Sequence, residues 1–147
     1  MSAFKGKSAW SGWLLLLLLI VGISQYRESL SNPAPDDDVS ALAEAFSQGR
    51  SDVWLNGVGE VSKLLPDDNT GSRHQRFVLT LAHGQTVLVA HNIDLAPRID
   101  GLVVGDRIRF RGEYEWTAQG GVVHWTHHDP RGRHDGGWLE KDGKRYR

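Results

Sequence analysis

The hydrophobic pattern of this 147-residue chain changes to a period of two at Trp54, and that change constrains the fold more than any other feature. Beyond Trp54, apolar and polar residues alternate in short runs, and turn residues separate the runs at the intervals of an all-β meander. The pattern predicts two central hairpins: residues 77–81 with 86–90 through His83-Gly84, and residues 107–116 with 122–126 through Gly120-Gly121.

Two glycines, Gly57 and Gly59, lie inside the first predicted strand. Glycine weakens a strand unless the backbone must bend sharply, as it does at the corner of a barrel. A bent first strand, and an irregular or helical connection around residues 95–101, match a small OB-like five-stranded barrel. A plain β-sandwich remains the alternative, because alternation does not distinguish a closed sheet from two stacked sheets. Asp142-Gly143 predicts a small terminal hairpin.

An uncharged apolar run with six consecutive leucines, Leu14 to Leu19, precedes this domain. Lys5 and Lys7 supply the positive flank of an export signal, and such flanks stay in the cytoplasm. Residues 1–26 are therefore predicted to be a signal peptide or an N-terminal transmembrane anchor helix. The rest of the chain is expected in the cell envelope, either periplasmic or anchored to the inner membrane.

The residues at the end of the apolar run bear on whether the segment is cleaved as a signal peptide or retained as an anchor. Gly22 and Ser24 are small residues at suitable spacing for cleavage, but an A-x-A pattern is absent, and we favour the anchor. Residues 27–50 are predicted to be a linker that contains a short helix, because prolines and consecutive aspartates precede apolar residues at helical spacing. Residues 51–147 form the predicted β domain.

Composition limits the chemistry of that domain. The chain has no cysteine, which excludes disulfides, thiolate metal sites and cysteine nucleophiles. Its formal net charge of −1 gives no global attraction to nucleic acid or anionic membrane. Any charged partner must therefore be recognised by a local patch.

Several long motifs distinguish the β domain from other small β proteins. They are the segments at 65–69, 71–77, 91–98, 112–116 and 124–130, which read LPDDN, GSRHQRF, HNIDLAPR, GEYEW and HWTHHDP. Taken together, they resemble the bacterial family catalogued as domain of unknown function 3465. The resemblance implies a small bacterial domain, often behind an export signal, and it implies no activity and no site residues.

A histidine-rich segment near the end of the domain suggests a divalent metal as a possible cofactor. The candidate ligands are His124, His128, Asp129 and His134. In a regular strand, His124 and His128 would lie about 13 Å apart, at about 3.3 Å per residue, which is too far for one ion. Structural hydrogen bonding by these imidazoles, with Trp125 in the core, is the alternative that we favour.

Polar residues at predicted strand ends form the candidate ligand site. They are His74, His91, Asn92, Asp94, Arg98 and His128, with Ile93 and Leu95 expected to point inward. Ligand loops on a rigid barrel have this character. The function that we predict is a non-enzymatic ligand-binding module of the envelope, with a small molecule, an oligosaccharide or a protein as ligand and no catalytic residue assigned.

Two alternatives stay open at the level of sequence. The first is a metal-dependent or nuclease-like hydrolase, in which carboxylates and arginines of the barrel mouth act together; its residues would be Asp67, Asp68, Asp94, Arg73 and Arg98. The second is a protein-protein interaction module that uses the same face. Nucleic-acid binding is disfavoured, because Tyr114 and Trp116 are expected to face the core beside a solvated arginine stripe at 107–111.

Overall fold

The computed structural model describes residues 39–147. The predicted signal or anchor at 1–26 and the linker up to residue 38 lie outside the described residues. Within residues 39–147, no helix has both the length and the apolar character that a membrane crossing requires. The segment that is described begins with the predicted short helix.

This helix, α1, spans Val39–Ser47. Leu42 and Ala45 lie on its buried side and belong to the hydrophobic core of the domain. Gly49, with a φ of 63°, ends the helix in the left-handed conformation that glycine accepts without steric cost. The predicted helix and its glycine stop are confirmed.

Seven strands follow α1 and confirm the all-β prediction. They are β1 (Val53–Asp68), β2 (His74–Leu81), β3 (Thr86–Asn92), β4 (Arg107–Glu115), β5 (Val122–His124), β6 (Trp138–Lys141) and β7 (Lys144–Tyr146). All seven belong to one sheet, which excludes two stacked sheets. The connection between β3 and β4 is irregular, with turns and no helix.

Five of the strands pair in a ring. The order is β1, β2, β3, β5, β4 and back to β1, with β3 and β5 parallel and the other neighbours antiparallel. β1 makes the ring possible because its first half, 53–60, pairs with β4 while its second half, 59–68, pairs with β2. A strand with two partners at different ends must bend between them.

The predicted bend lies at Gly57 and Gly59. A Cβ on Gly57 would come within 2.6 Å of the Phe110 ring, and one on Gly59 within 2.9 Å of the Leu79 Cβ. Side chains from the neighbouring strands therefore occupy the space that a larger residue would need. The two glycines let the strands close on a core that includes Phe77, Phe110 and Tyr114, all fully buried.

Two apolar residues that were expected to point inward are exposed. Trp116 lies just beyond β4 and is 41% exposed, because the strand ends at Glu115 and the indole N–H donates to the Phe46 carbonyl at 3.0 Å. Leu95 is 41% exposed, because it lies in the β3–β4 connection rather than on a strand facing the core. The expectation for Tyr114 is confirmed, but those for Trp116 and Leu95 are wrong.

One edge of β4 is shared by two strands. Residues 113–115 pair with β5, and residues 109–111 pair with β6. Between them the chain leaves the sheet after His124 and returns at Trp138, a segment we call the excursion (125–137). The β6–β7 hairpin that follows turns at Asp142-Gly143, both with positive φ, as predicted.

Candidate functional site

A groove crosses the outer face of β2, β3 and β5. Residues along each strand alternate between the core and this face, so the outward positions form the floor of the groove. The parallel pairing of β3 with β5 brings two strands that are distant in sequence side by side. The groove encloses about 230 Å³ and is lined by Ser72, His74, Ala90, Asn92, Leu95, His124, Trp125 and His127.

Trp125 stands at the end of the groove where the chain leaves β5. Its φ is 54°, a left-handed conformation that is unusual for a bulky residue. Its ring centroid lies 5.3 Å from that of His127 and 4.9 Å from that of His134. A Cβ on Gly137 would collide with the Trp125 carbonyl oxygen, so the two backbones are in direct contact. Contacts of its ring with two imidazoles and of its backbone with Gly137 therefore both hold the Trp125 indole in place.

His91 lies beneath the groove and is fully buried. Its Nε2 lies 3.1 Å from the Pro97 carbonyl oxygen and its Nδ1 lies 2.8 Å from Thr126 Oγ1. Since a carbonyl only accepts, Nε2 carries the proton, and Nδ1 of the neutral ring accepts from the hydroxyl. Burial lowers the pKa of His91 to about 4, so the ring is neutral at physiological pH. This predicted ligand residue links three segments of the fold and faces no groove.

Two groove histidines differ in their partners. The His74 imidazole makes no hydrogen bond with any residue of the described range 39–147. His127 donates from Nδ1 to the His128 carbonyl at 2.7 Å, and burial lowers its pKa. His74 is therefore available to a ligand, whereas His127 is neutral and fixed.

His124, from β5, is bordered by carboxylates. Its Nε2 lies 3.7 Å from Glu115 Oε1 and makes no hydrogen bond within the described chain. Glu113, Glu115 and Asp52 also bring carboxylate oxygens within 4.8 Å of one another. In the part of the chain described, they form the one group of three His, Asp or Glu residues with metal-ligand spacing. Sequence reasoning did not group the two glutamates with Asp52, because Asp52 comes from the distant segment just before β1.

Asn92 lines the groove, and its side chain contacts Asp94, which lies outside the lining. Asn92 Oδ1 accepts from the Asp94 backbone N–H at 2.9 Å, which leaves the amide NH₂ of Asn92 without a partner among residues 39–147. Asp94 accepts from the backbone N–H and from Nε of Arg73, both at 2.7 Å. The backbone hydrogen bond, aided by the guanidinium, holds the pKa of Asp94 below its usual value. Asp94 thus holds the loop in place through Arg73.

Arg98 lies at a different depression of about 150 Å³, which has no lining residue in common with the groove. It forms an ion pair with Asp67. Beside it, the Gln75 amide donates to the Ile99 carbonyl and accepts the Ile99 N–H, at 3.0 and 2.9 Å. Arg98 therefore belongs to the packing of the β3–β4 connection.

Three of the predicted metal ligands, His128, Asp129 and His134, lie in the excursion, and the fourth, His124, lies in β5; within residues 39–147 they form no group with metal-ligand spacing. The Asp129 carboxylate accepts backbone N–H groups of Arg131, Arg133 and His134 at 2.7–3.1 Å, and the first of these contributes most to its lowered pKa. His128 is exposed, and the His134 ring packs on Trp125. Asp129 therefore organises a turn.

The groove unites two predicted ligand residues, His74 and Asn92, with one predicted metal ligand, His124. His91, Asp94, Arg98 and His128 lie outside its lining. Sequence reasoning missed Trp125 as a surface residue, because a strand through residue 126 would have buried it. The available signal was its place in a motif with three histidines, at 124–128.

Comparison with known proteins adds a family and no chemistry. A family model described as "Protein of unknown function (DUF3465)" matches residues 25–147, which confirms the predicted resemblance. No curated protein matches the chain.

Proposed function

Because the chain belongs to the DUF3465 family, whose description assigns no activity, we propose that its function is set by the groove: the domain is a non-enzymatic, OB-like ligand-binding module of the cell envelope. The binding site consists of His74, Asn92, His124, Trp125 and His127. Of the remaining predicted ligand residues, His91 supports the groove from beneath and Asp94 holds the adjacent loop through Arg73.

The observation that carries this proposal is the backbone of Trp125. A left-handed φ at a bulky residue costs of order 1–3 kcal/mol and persists where the surroundings impose it, commonly at ligand sites. Glycine would adopt this conformation freely. A tryptophan at φ 54° that lines a polar groove is therefore best explained by a requirement for the indole itself.

The strand order supports the OB-like assignment. In OB folds the face of strands 2 and 3, with the flanking loops, binds extended polar ligands. The groove lies on β2 and β3 and includes the β1–β2 loop through Ser72. The location of the groove is thus the one that this ring order favours for binding.

The charged groups considered for hydrolysis already have hydrogen-bond or ion-pair partners within the domain. Arg73 pairs with Asp94, and Arg98 pairs with Asp67. Asp68 accepts the backbone N–H of Thr70 at 2.9 Å, within the turn that follows β1. A hydrolase would need one of these carboxylates directed at a substrate, so the ion pairs support a binding role.

A screen of small polar fragments on the full-length chain in mild detergent tests the site. The six tryptophans provide indole N–H signals in NMR spectra, and Trp125→Phe identifies the signal of Trp125. We expect hits to shift the Trp125 signal and to be weakened by His74→Ala, with no chemical change of the fragment. Hits confined to Trp138, on the β6 strand, or turnover of a bound fragment would contradict the proposal.

The envelope location is a separate part of the proposal, supported by the leucine run and its lysine flank. Protease added to intact spheroplasts is expected to digest the β domain. A β domain that is protected in intact spheroplasts and digested only after lysis would place the protein in the cytoplasm.

A further inference from the structure

The groove has no formally charged side chain in its lining, apart from its histidines. Of these, His127 is kept neutral by burial. The arginines on either side of His74 in sequence are engaged: Arg73 with Asp94, and Arg76 through Nε with the Pro66 carbonyl at 3.1 Å. Neither arginine belongs to the lining, so a phosphate or carboxylate in the groove would have no guanidinium partner among the lining residues.

The hydrogen-bonding groups in the groove are of both kinds. The Asn92 NH₂ donates, and Nε2 of the neutral His127 ring accepts because its Nδ1 already donates to the His128 carbonyl. The ring nitrogens of His74 have no partner within residues 39–147. Trp125 adds a flat apolar surface whose position is fixed by His127 and His134. A sugar ring matches this combination, because it has an apolar C–H face and a rim of hydroxyls that both donate and accept.

The volume of the groove sets the size of the bound unit. Drug-sized ligands occupy pockets of roughly 300–1,000 Å³. The groove encloses about 230 Å³ and is open to solvent. It therefore holds a single ring, with any further units of the ligand extending outside.

We infer that the ligand is an uncharged oligosaccharide, one sugar ring of which stacks on the Trp125 indole while its hydroxyls meet His74, Asn92 and His124. This inference rests on the proposed binding function and deepens it by naming the ligand class. Binding of an anionic polymer in the same groove would leave the binding function standing and remove only this inference.

The test titrates the full-length chain, in mild detergent, with three kinds of probe: neutral oligosaccharides of glucose and of N-acetylglucosamine, an acidic oligogalacturonate, and a single-stranded oligodeoxynucleotide. The readout is the Trp125 indole N–H signal. We expect a saturable shift with at least one neutral oligosaccharide and a weaker response or none with the two anionic probes.

Matched variants separate stacking from folding, and their affinities are measured by isothermal titration calorimetry because Trp125→Gly and Trp125→Phe lack the indole signal. Trp125→Gly keeps the left-handed backbone without cost and is expected to weaken neutral-sugar binding by roughly tenfold, while Trp125→Phe retains a ring and stays within roughly threefold. Trp138→Phe, on β6 and outside the groove lining, is the control and leaves binding unchanged. His74→Ala provides a second variant that leaves the backbone of the excursion intact.

Three outcomes would overturn the inference. If only an anionic probe shifts the Trp125 signal, the groove binds ligands of another class. If neutral sugars bind with equal strength to Trp125→Gly and to the unaltered chain, stacking is absent. If no probe shifts the Trp125 signal although fragments from the wider screen do, the groove binds something other than a glycan.

Discussion

Two outer faces of the sheet differ in whether their polar side chains have hydrogen-bond or ion-pair partners. On the face of β4, β6 and β7, charged side chains are paired: Glu140 contacts both Arg109 and Arg145, and Lys141 contacts Asp106 and Asp142. On the groove face, the His74 ring and the Asn92 NH₂ have no partner within residues 39–147. The arginine stripe is conspicuous in sequence, and its Arg109 and Arg111 are paired with Glu140 and Asp135, whereas the groove is inconspicuous and has free hydrogen-bonding capacity.

The contrast shows that residue type alone does not identify which face can bind a ligand. Arg145 lies 4.3 Å above the Trp138 ring and Arg111 lies 5.6 Å from the Trp54 ring, so aromatic surface on that side is already covered by cations. Trp125, in contrast, has imidazole neighbours and borders open volume. Four experiments sharpen the comparison, and the largest effect is expected beneath the groove.

His91→Ala should damage the groove side most. The change removes two hydrogen bonds, leaves the Pro97 carbonyl and the Thr126 hydroxyl buried without a partner, and opens a cavity. We expect a loss of about 3–5 kcal/mol in the free energy of unfolding, measured by urea denaturation. His83→Ala, in the exposed β2–β3 turn, is the control and should change it by less than about 0.5 kcal/mol. Equal effects of the two variants would show that His91 is not a structural link.

Acid should lower the free energy of unfolding through the same residue, His91. His91 has a pKa of about 4 in the folded state and 6.5 when unfolded, so unfolding takes up a proton between these values. Stability is therefore complete above pH 6.5, falls as the pH drops towards 4 and levels off below it, by about 3 kcal/mol in all. The lowered pKa of His127 acts in the same direction.

The stabilising carboxylates lose their effect in a lower pH range than His91 does. The pKa values of Asp94 and Asp129 are held below 3.8, so their stabilising effect is lost only at lower pH. Urea denaturation of His91→Gln across the same pH range should give a flatter profile than the unaltered chain. A profile that keeps its full slope in His91→Gln would assign the acid response to other groups.

Asp129→Ala should loosen the excursion without opening the ring. The carboxylate holds three backbone N–H groups, so the amides of Arg131, Arg133 and His134 should exchange with deuterium roughly tenfold faster. The His134 ring should then support Trp125 less firmly, and the indole signal should broaden. Asp135→Ala, on the same exposed turn, is the matched control. Unchanged exchange in Asp129→Ala would remove Asp129 from this role.

Glu140→Gln should have the smallest effect, although it removes a carboxylate that two arginines share. Surface ion pairs contribute about 0–1 kcal/mol each, so the free energy of unfolding should fall by no more than about 1 kcal/mol. The Trp125 and His74 signals should stay in place. A shift at Trp125 would show that the two faces are coupled and would break the contrast drawn above.

Local patterns were sufficient to predict most of the fold. Alternation located the strands, and the paired glycines at 57 and 59 predicted the bend of β1. The continuation of β1 to Asp68 is not indicated by local pattern, because Pro66 and the two aspartates are typical of a turn. The strand keeps pairing with β2 as far as Asp68, across an irregularity in register between Leu65 and Asp68, so tertiary pairing overrides the preference of those residues.

The groove was harder to predict, because it depends on contacts between distant segments. The parallel pairing of β3 with β5 places His124 beside Ala90 and Asn92, and no local signal indicates such pairing. The residue types were recognisable, since histidine, asparagine and tryptophan stood in long motifs. Their grouping was not, because Trp125 leaves the strand two residues earlier than alternation indicates.

The pairing of β1 with β4 determines the order in which the strands of this domain can assemble. It joins Val53 to Tyr114 and Glu60 to Arg107, positions that are far apart along the chain. Contacts of such long range form late and slow folding. Until β4 arrives, the first half of β1 presents an unpaired edge, and such an edge invites association with other chains. A chain in which β1, β2 and β3 have paired without β4 is therefore expected to be the aggregation-prone species, and pairing of β4 with β1 removes the open edge.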